Sequence, residues 1–464
     1  MTNSPEPRER LTMQLREKSV SIPLAPGNRG LIEHIKRALS FRFVDGEIPL
    51  RLAVTSIDDD YYHCEVGCLV DARAGEHESG RSIFDLRRRG AEKADRFNVV
   101  FLVPTGIGAE IGGHAGDATP AAQLLASGCD HLITHPNVVN ASDINEIPEN
   151  AFYVEGSVIC RFLMGTAGLK PVRTNRVLVV IDAQSDEMIE NLALNTVEAT
   201  RATYGLKCAG IYRLDPPLDL TATYAESGRA VGIGYGIDRL FDLLGETRDG
   251  YDAVAISSLI AVPDGCHDQY FTSDGTMVNP WGGVEAMLTH AVSQFLDVPS
   301  AHAPMMESRE ILFGDSGRVD PRMAAEAISS SFFQCVLKGL KRSPAIVTDP
   351  SQMRSNDVLT VEDVSCLVLP DGCIGLPTLA ALEQGIPVIA VGEGKGLMAN
   401  DLAALSWRPG QLTVVKNYWE AAGVLGALRA GITPESVRRP FSKLEAITWC
   451  KTGKADPKAF RRTQ

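Results

Sequence analysis

Continuous apolar runs alternate with amphipathic segments along most of the chain. The runs NVVFLVP at 98–104 and RVLVVID at 176–182 are apolar at nearly every position. Such runs are typical of strands buried on both faces of a parallel sheet. The segments that follow them, 121–128 and 190–205, have the apolar spacing of helices. This alternation predicts an α/β protein with mainly parallel sheets.

The chain before Asn98 has a different pattern. Residues 21–95 contain two strand-like stretches, RLAVTSI at 51–57 and YHCEVGCLV at 62–70. We interpret this region as a small mixed α/β module. The first residues are polar and without an apolar core, so we expect a disordered leader over 1–20.

A four-residue motif occurs twice, in IAVPDGCHD at 260–268 and in LVLPDGCIG at 367–375. Each copy follows an apolar run and precedes a helix-like segment. The repetition predicts a duplicated pair of Rossmann-like lobes, although two similar glycine turns are the simpler alternative. The predicted division is a leader at 1–20, a small mixed module at 21–95, a first α/β lobe region at 96–310, a second α/β lobe at 311–440 and a C-terminal tail at 441–464.

The two repeated cysteines are the first candidates for chemistry. Cys266 and Cys373 each follow Asp-Gly at a strand-to-helix loop, where a helix N-terminus favours the thiolate. Two such thiols facing one cleft could remove and return a carbon-bound proton, without a cofactor. His267 is a candidate base beside Cys266. Buried structural cysteines are the alternative.

A glycine-rich stretch between the strand at 98–104 and the helix at 121–128 is the second candidate. Backbone amides in such a loop can bind an anion, and no Walker A or dinucleotide fingerprint is present. A tight turn is the alternative. The four-residue spacing of His131 and His135 leaves a metal site open, but we predict neither metal nor cofactor. The predicted substrate-binding residues are Thr105, Gly106, Gly108, Gly112, Gly113, His114, His135, Asn137, Asn140, Asp264 and Asp371.

Composition limits the partners. The formal net charge is −13 and aromatic residues make up 6% of the chain, which argues against nucleic acid as a partner. No apolar run reaches the length of about 18 residues that a membrane span needs, and the N-terminus lacks the apolar core of a secretion signal. We therefore expect a cytoplasmic protein without membrane partners, a homo-oligomer, that binds a small anionic metabolite.

Two stretches resemble known families. Residues 104–145, from PTGIGAEIGGHAG to NASDIN, resemble an uncharacterised bacterial and plant family defined only as a domain of unknown function, which implies no activity. Residues 364–391, VSCLVLPDGCIGLPTLAALEQGIPVIAV, resemble the second-lobe motif of the aspartate/glutamate/hydantoin racemase superfamily. That resemblance implies one catalytic cysteine per lobe, Cys266 and Cys373. The same stretch is also similar to the donor-site segment of two-lobed glycosyltransferases.

The sequence thus predicts a small-molecule enzyme that uses cysteine acid–base chemistry, as a racemase, an isomerase or a lyase. The main alternative is an amide or lactam hydrolase with a cysteine or metal site. Glycosyl transfer and a non-catalytic ligand-binding sensor also remain open.

Overall fold

A computed structural model describes residues 13–25, 30–44, 46–70, 82–398, 400–444 and 446 of the chain. The strands are β1 (Gln14–Pro23), β2 (Glu47–Ile57), β3 (Tyr61–Val70), β4 (Asn98–Phe101), β5 (His131–Thr134), β6 (Asn140–Ala141), β7 (Ile144–Asn145), β8 (Ala151–Tyr153), β9 (Gly168–Lys170), β10 (Arg176–Asp182), β11 (Lys207–Leu214), β12 (Asp219–Tyr224), β13 (Ala230–Tyr235), β14 (Ala253–Ser258), β15 (Ile260–Ala261), β16 (Ser300–Pro304), β17 (Ala345–Val347), β18 (Cys366–Pro370), β19 (Ile374–Gly375), β20 (Val388–Val391) and β21 (Leu412–Val415).

The helices are α1 (Leu31–Ser40), α2 (Thr119–Ala126), α3 (Pro136–Val139), α4 (Gly156–Leu163), α5 (Glu187–Tyr204), α6 (Ile237–Glu246), α7 (Cys266–Thr272), α8 (Gly282–Leu296), α9 (Arg309–Leu312), α10 (Ala324–Ala327), α11 (Phe333–Leu340), α12 (Leu376–Gln384) and α13 (Tyr418–Arg429).

Two of the sheets are parallel. The six-stranded sheet has the order β21-β20-β18-β4-β5-β8, and the four-stranded sheet has the order β11-β10-β14-β16. The strand interiors are apolar because both faces are covered, and Val99, Val100 and Phe101 of β4 are fully buried. The predicted strands at 98–104 and 176–182 are confirmed as β4 and β10, and the α/β fold class is confirmed.

The four-stranded sheet separates two hydrophobic cores. Val177, Val179 and Ile181 of β10 face the core that also surrounds the six-stranded sheet. The alternate residues Leu178 and Val180 face a second core, which helices α6 and α8 complete. This alternation is the period of two that a strand imposes on its side chains.

A seven-stranded mixed sheet joins the N-terminal region to the rest of the chain. Its order is β15-β12-β13-β1-β3-β2-β19, so strands β1 to β3 are flanked by strands from much later in the chain. The structure thereby corrects two boundaries. The region at 21–95 is not a separate module, and the leader predicted for 1–20 includes the strand residues from Gln14 onward. Residues 1–12 of that leader lie outside the described residues.

The predicted division into lobes at 96–310 and 311–440 is also corrected. Strand β4 of the first lobe pairs directly with β18 of the second, so both belong to one sheet. The four-stranded sheet is built entirely from the chain between them. At the C-terminus, residues 441–444 and 446 form neither helix nor strand, and the rest of the tail predicted for 441–464 lies outside the described residues.

The repeated Pro-Asp-Gly-Cys motif marks two similar turns at opposite edges of the mixed sheet. Gly265 and Gly372 both have a left-handed backbone, with φ of +74° and +81°, which glycine adopts without strain. The first motif follows edge strand β15 and the second precedes edge strand β19. The two thiols therefore lie at turns beside different edge strands, with Cys266 after β15 and Cys373 before β19.

A buried ion network ties the mixed sheet together. Arg229, just before β13, donates to Glu17 of β1 and, at 2.7 Å, to Glu65 of β3. Arg51 of β2 donates to the other oxygen of Glu17 at 3.1 Å. Burial opposes ionisation of Glu17, but the two arginines outweigh it and lower its pKa.

Removing one member of this network should destabilise the fold strongly. We expect Arg229→Ala to lower the free energy of unfolding by about 3–5 kcal/mol, because buried Glu65 loses its arginine partner and buried Glu17 keeps only Arg51. The exposed pair of Arg201 and Glu198 on α5 provides the control, and Arg201→Ala should cost less than about 1 kcal/mol. Urea unfolding of both variants measures the difference, and equal losses would contradict this account.

Candidate functional site

A cavity of about 240 Å³ lies where the carboxyl ends of the two parallel sheets meet. Its walls come from the segments that follow β4, β5 and β8 in the six-stranded sheet, and from β16 of the four-stranded sheet. The stretch 267–282, which includes α7 and leads into α8, supplies another wall. Ligands in open α/β sheets bind at this end of the strands, so the cavity is the candidate site.

Five of the nine histidines in the chain line this cavity. They are His114, His135, His267, His290 and His302. Four glutamates line it as well, namely Glu155, Glu285, Glu307 and Glu326. Histidine and carboxylate side chains are the usual groups for proton transfer near neutral pH. The hydrogen-bond partners of each one determine whether it is free to transfer a proton.

His290 of α8 is bound to a buried carboxylate. Its Nδ1 is hydrogen-bonded to Glu155 Oε1, and Glu155 caps α4 by accepting from the amide of Ser157 at 2.9 Å. Burial alone would raise the pKa of Glu155, but His290, Ser157 and the Val158 amide outweigh it and lower that pKa. Glu155 is therefore an ionised acceptor that fixes the proton of His290 on Nδ1. None of the described residues hydrogen-bonds Nε2 of His290.

His302 of β16 forms a second pair of this kind, but both of its nitrogens are occupied. Its Nδ1 lies 2.9 Å from Glu285 Oε1, and its Nε2 lies 2.7 Å from the hydroxyl oxygen of Ser258. Because a carboxylate only accepts, Nδ1 donates to Glu285, and Nε2 shares the second hydrogen bond with the hydroxyl of Ser258. Ser258 is fully buried at the end of β14. This arrangement fixes the ring of His302 and leaves it no free nitrogen.

A third chain of hydrogen bonds runs through Tyr270. Its hydroxyl donates to Glu326 Oε2 at 2.6 Å and lies 2.7 Å from His114 Nδ1. The amide of Ala115 and the side chain of Asn279 donate to the other oxygen of Glu326. Burial raises the pKa of Glu326 and lowers that of His114, so both favour their neutral forms.

His135 and Asn137 hold the glycine-rich loop in place. His135 Nε2 accepts from the Val103 amide at 3.2 Å, and burial lowers the pKa of His135 to about 4, so the ring is neutral. Asn137 donates to the carbonyls of Val103 and Gly112, each at 3.0 Å. Gly106 has φ of +77°, and a Cβ there would lie 2.8 Å from the Ala230 carbonyl. The loop is thus packed tightly against β13.

The cavity brings together eight of the residues singled out from the sequence. They are Thr105, Gly106, Gly113, His114, His135, Asn137, Asn140 and His267. The other six do not line it, namely Gly108, Gly112, Asp264, Asp371, Cys266 and Cys373. His131 lies at the opposite end of β5 from His135, 3.0 Å from Asn98 Oδ1, so these two histidines do not share a metal.

Neither thiol is set up as a base. Cys373 is buried in the large core, and burial raises its pKa to about 12. Cys266 is buried at the start of α7, and burial raises its pKa too. The partial charge of the α7 N-terminus does not overcome desolvation, so both thiols stay protonated near neutral pH.

Sequence reasoning missed the histidines and glutamates of α8 and β16. Glu285 and His290 are the two ionisable positions of helix α8, and His302 stands between alanines in a buried strand. An isolated ionisable residue in a mostly uncharged element was the available signal. The partner of each one lies in a different segment, which the sequence does not reveal.

The described walls of the cavity offer no fixed cation to bind the anionic ligand expected from the sequence. Among the described residues that line it there is no lysine or arginine. The described residues also contain no group of three histidine, cysteine, aspartate or glutamate side chains placed to hold a metal ion.

The chain is similar to proteins that have no described function. A family model described as "Protein of unknown function (DUF3326)" matches residues 98–438. An uncharacterized lipoprotein of Synechococcus sp. is 33% identical over 347 residues, which cover 73% of this chain and 92% of that protein. No solved structure matches. The resemblance to an uncharacterised family is confirmed, whereas no match to the racemase superfamily was found.

The expected cytoplasmic location is wrong by this comparison, because the matching relative is described as a lipoprotein. In the part of the chain that the structure covers, none of the helices has the length and apolar character needed to cross a bilayer.

The buried carboxyl of Asp117 should make stability depend on pH. Its Oδ1 accepts from the Gly112 amide at 2.8 Å, and burial raises its pKa to about 7. A carboxyl with a higher pKa in the folded state binds its proton more tightly there, so its contribution favours folding at low pH. That contribution is lost as the pH rises from about 4 towards 7.

We expect Asp117→Asn to make the fall in unfolding free energy between pH 5 and pH 8 shallower, by on the order of a few kcal/mol at most. Asparagine keeps an oxygen for the Gly112 amide and removes the titration. Asp219→Asn, at an exposed position of β12, is the control and should leave the slope unchanged. Urea unfolding across this pH range measures both, and an unchanged slope in Asp117→Asn would refute the assignment.

Proposed function

Since the chain belongs to the family described as "Protein of unknown function (DUF3326)", which states no activity, we propose a function from the cavity itself. The protein is an enzyme that transfers a proton to or from a small polar molecule. His290 is its acid–base residue and Glu155 orients and stabilises it.

The observation that carries this proposal is the difference between the histidines in the cavity. His302 has partners on both nitrogens, and His135 is a neutral acceptor of a backbone amide. His290 has one nitrogen bound to an ionised carboxylate, and no described residue hydrogen-bonds the other. That combination is what a general base needs, because the free nitrogen takes the proton and the carboxylate stabilises the resulting imidazolium.

The sequence-based proposal of proton transfer is therefore retained, with different residues. Histidine replaces the two thiols, because the thiols lie at opposite edges of the mixed sheet and neither one lines the cavity. Racemisation, isomerisation and lyase reactions all begin with such a proton transfer, and the cavity does not choose among them. A hydrolase would use the same histidine to activate water.

Proton NMR in deuterated water tests the proposal directly. We expect loss of a carbon-bound proton signal, or new product signals, from one compound in a panel of amino acids, amines, cyclic amides and dicarboxylates. His290→Gln should slow this reaction about 10²-fold to 10⁴-fold, the usual contribution of a general base. Glu155→Gln should slow it less, since the imidazole itself remains.

The matched control is the double variant Cys266→Ala/Cys373→Ala, which removes both thiols outside the cavity. It should retain the reaction. Loss of the reaction in this variant, with full rate in His290→Gln, would overturn the histidine mechanism in favour of the thiols. Binding without exchange or product would instead support a ligand-binding sensor.

We also propose that the protein is associated with a membrane, on the strength of the lipoprotein description of its relative. The expected result is that the native protein sediments with membranes from its own cells and is released by detergent but not by salt. Recovery in the soluble fraction would contradict this location. The proton-transfer proposal does not depend on the outcome.

A further inference from the structure

The described walls of the cavity carry carboxyl groups but no fixed cation. Four glutamates line it, and no lysine or arginine does so among the described residues. Arg322 lies near His114, but its guanidinium is bonded to Asp320 and Glu110, each at 3.0 Å. It is therefore not available to neutralise a ligand.

The helix ends do not reverse this balance. The N-terminus of α8 lies at the cavity without a side-chain cap, and it is equivalent to roughly +0.5 of a charge. The N-terminus of α4 is already capped by Glu155. Ionised Glu155 offsets these two helix ends, and no lysine or arginine in the described walls is left to bind an anion, so the cavity favours a cation over an anion.

Among the described glutamates that line the cavity, Glu307 is the one with a buried oxygen that receives no hydrogen bond. Glu155, Glu285 and Glu326 are bonded to His290, His302 and Tyr270 respectively. Glu307 Oε1 is buried, and none of the described residues donates a hydrogen bond to it. Leaving such an atom unpaired costs about 1–3 kcal/mol or more. The carboxyl of Glu307, which lines the cavity, is therefore not already engaged by a donor of the described residues. Burial also raises the pKa of Glu307, as expected for a carboxyl without a cation beside it.

The remaining walls suit an organic cation better than a metal ion. Phe271, Trp281 and Phe332 line the cavity with the thioethers of Met305 and Met306. Aromatic faces attract an ammonium group and its carbon chain. The volume of about 240 Å³ holds several non-hydrogen atoms, because one water occupies only about 30 Å³. Three converging metal-ligand side chains are absent from the described residues.

We propose that the ligand of this cavity is a small organic amine, whose protonated nitrogen binds the carboxylate of Glu307 and whose carbon chain packs against the aromatic wall. This inference rests on the proposed function for the identity of the site and adds the chemical class of the substrate. It replaces the small anionic metabolite expected from the sequence.

Matched probes of one chain length test the charge preference. Calorimetry would compare butylamine, butanol and butyrate, and then 1,4-diaminobutane, 1,4-butanediol and succinate, with Zn²⁺ as a separate probe. We expect the amine of each set to bind at least 10-fold more tightly than its alcohol or carboxylate. Equal binding across a set, no binding of either amine, or tighter binding of the carboxylates or of Zn²⁺ would overturn the inference.

Variants locate the binding group. Glu307→Gln should weaken amine binding about 10-fold while leaving the weak binding of the alcohols unchanged, because the amide keeps the size of the side chain and removes its charge. Glu310→Gln, an exposed position on α9 outside the cavity, is the matched control and should bind the amines as the unmodified protein does. Equal weakening in both variants would refute the role of Glu307.

The same probes separate this inference from the proposed function. If amines bind without proton exchange or product, the ligand class is supported and the proposed enzyme activity is refuted. If a carboxylate or alcohol reacts in a manner that depends on His290, the enzyme activity is supported and the amine ligand is refuted.

Discussion

The buried ion network of Glu17, Glu65, Arg51 and Arg229 is the constraint on which the site depends. It joins strands that are far apart in the sequence, and it is hydrogen-bonded or adjacent to segments that line the cavity. The residue after Arg229 donates its amide to the carbonyl of Gly106 at 2.9 Å, and Arg51 donates to the carbonyl of Gly283 at 3.2 Å. The glycine-rich loop and the start of α8 are therefore positioned by groups that are stable only as a set, since each buried charge needs its partner.

The position of the cavity depends on the order in which the chain contributes strands to the two parallel sheets. The six-stranded sheet takes strands from both sides of the four-stranded sheet, which makes the carboxyl ends of both sheets converge. Helix α8 crosses between them and carries both Glu285 and His290. Each of these residues finds its partner on a different element, so the two histidine–glutamate pairs also fasten the sheets to each other. The same two histidine–glutamate contacts thus stabilise the packing and position the candidate acid–base groups.

The local hydrophobic pattern predicted the strands and helices well. The contacts between segments distant in sequence could not be predicted from it. The apolar runs of β4 and β10 identified parallel strands because burial on both faces leaves a mark in the sequence itself. The sequence carries no comparable mark of which strands pair with each other. The prediction therefore placed β4 and β18 in different lobes, although they are neighbours in one sheet. The glycine-rich loop was found through its local composition, as were His114, His135 and Asn137. The sequence did not reveal His290, because its role depends on Glu155, which is distant in the chain. The repeated cysteines were conspicuous only because similar turns need similar residues.

The interleaved sheet has a consequence for how the protein is made. Asn98, at the start of β4, meets its partner Ser365 only after 267 further residues have been synthesised. The strands of the four-stranded sheet all lie between these two residues, so this sheet can form before β18 is synthesised. Until β18 emerges from the ribosome, the edge of β4 has no neighbour on that side, and its apolar strand is open to association with other chains. The order of synthesis thus leaves the six-stranded sheet, which bears the glycine-rich loop, incomplete until β18 is made, and a chaperone can protect its apolar edge during that time.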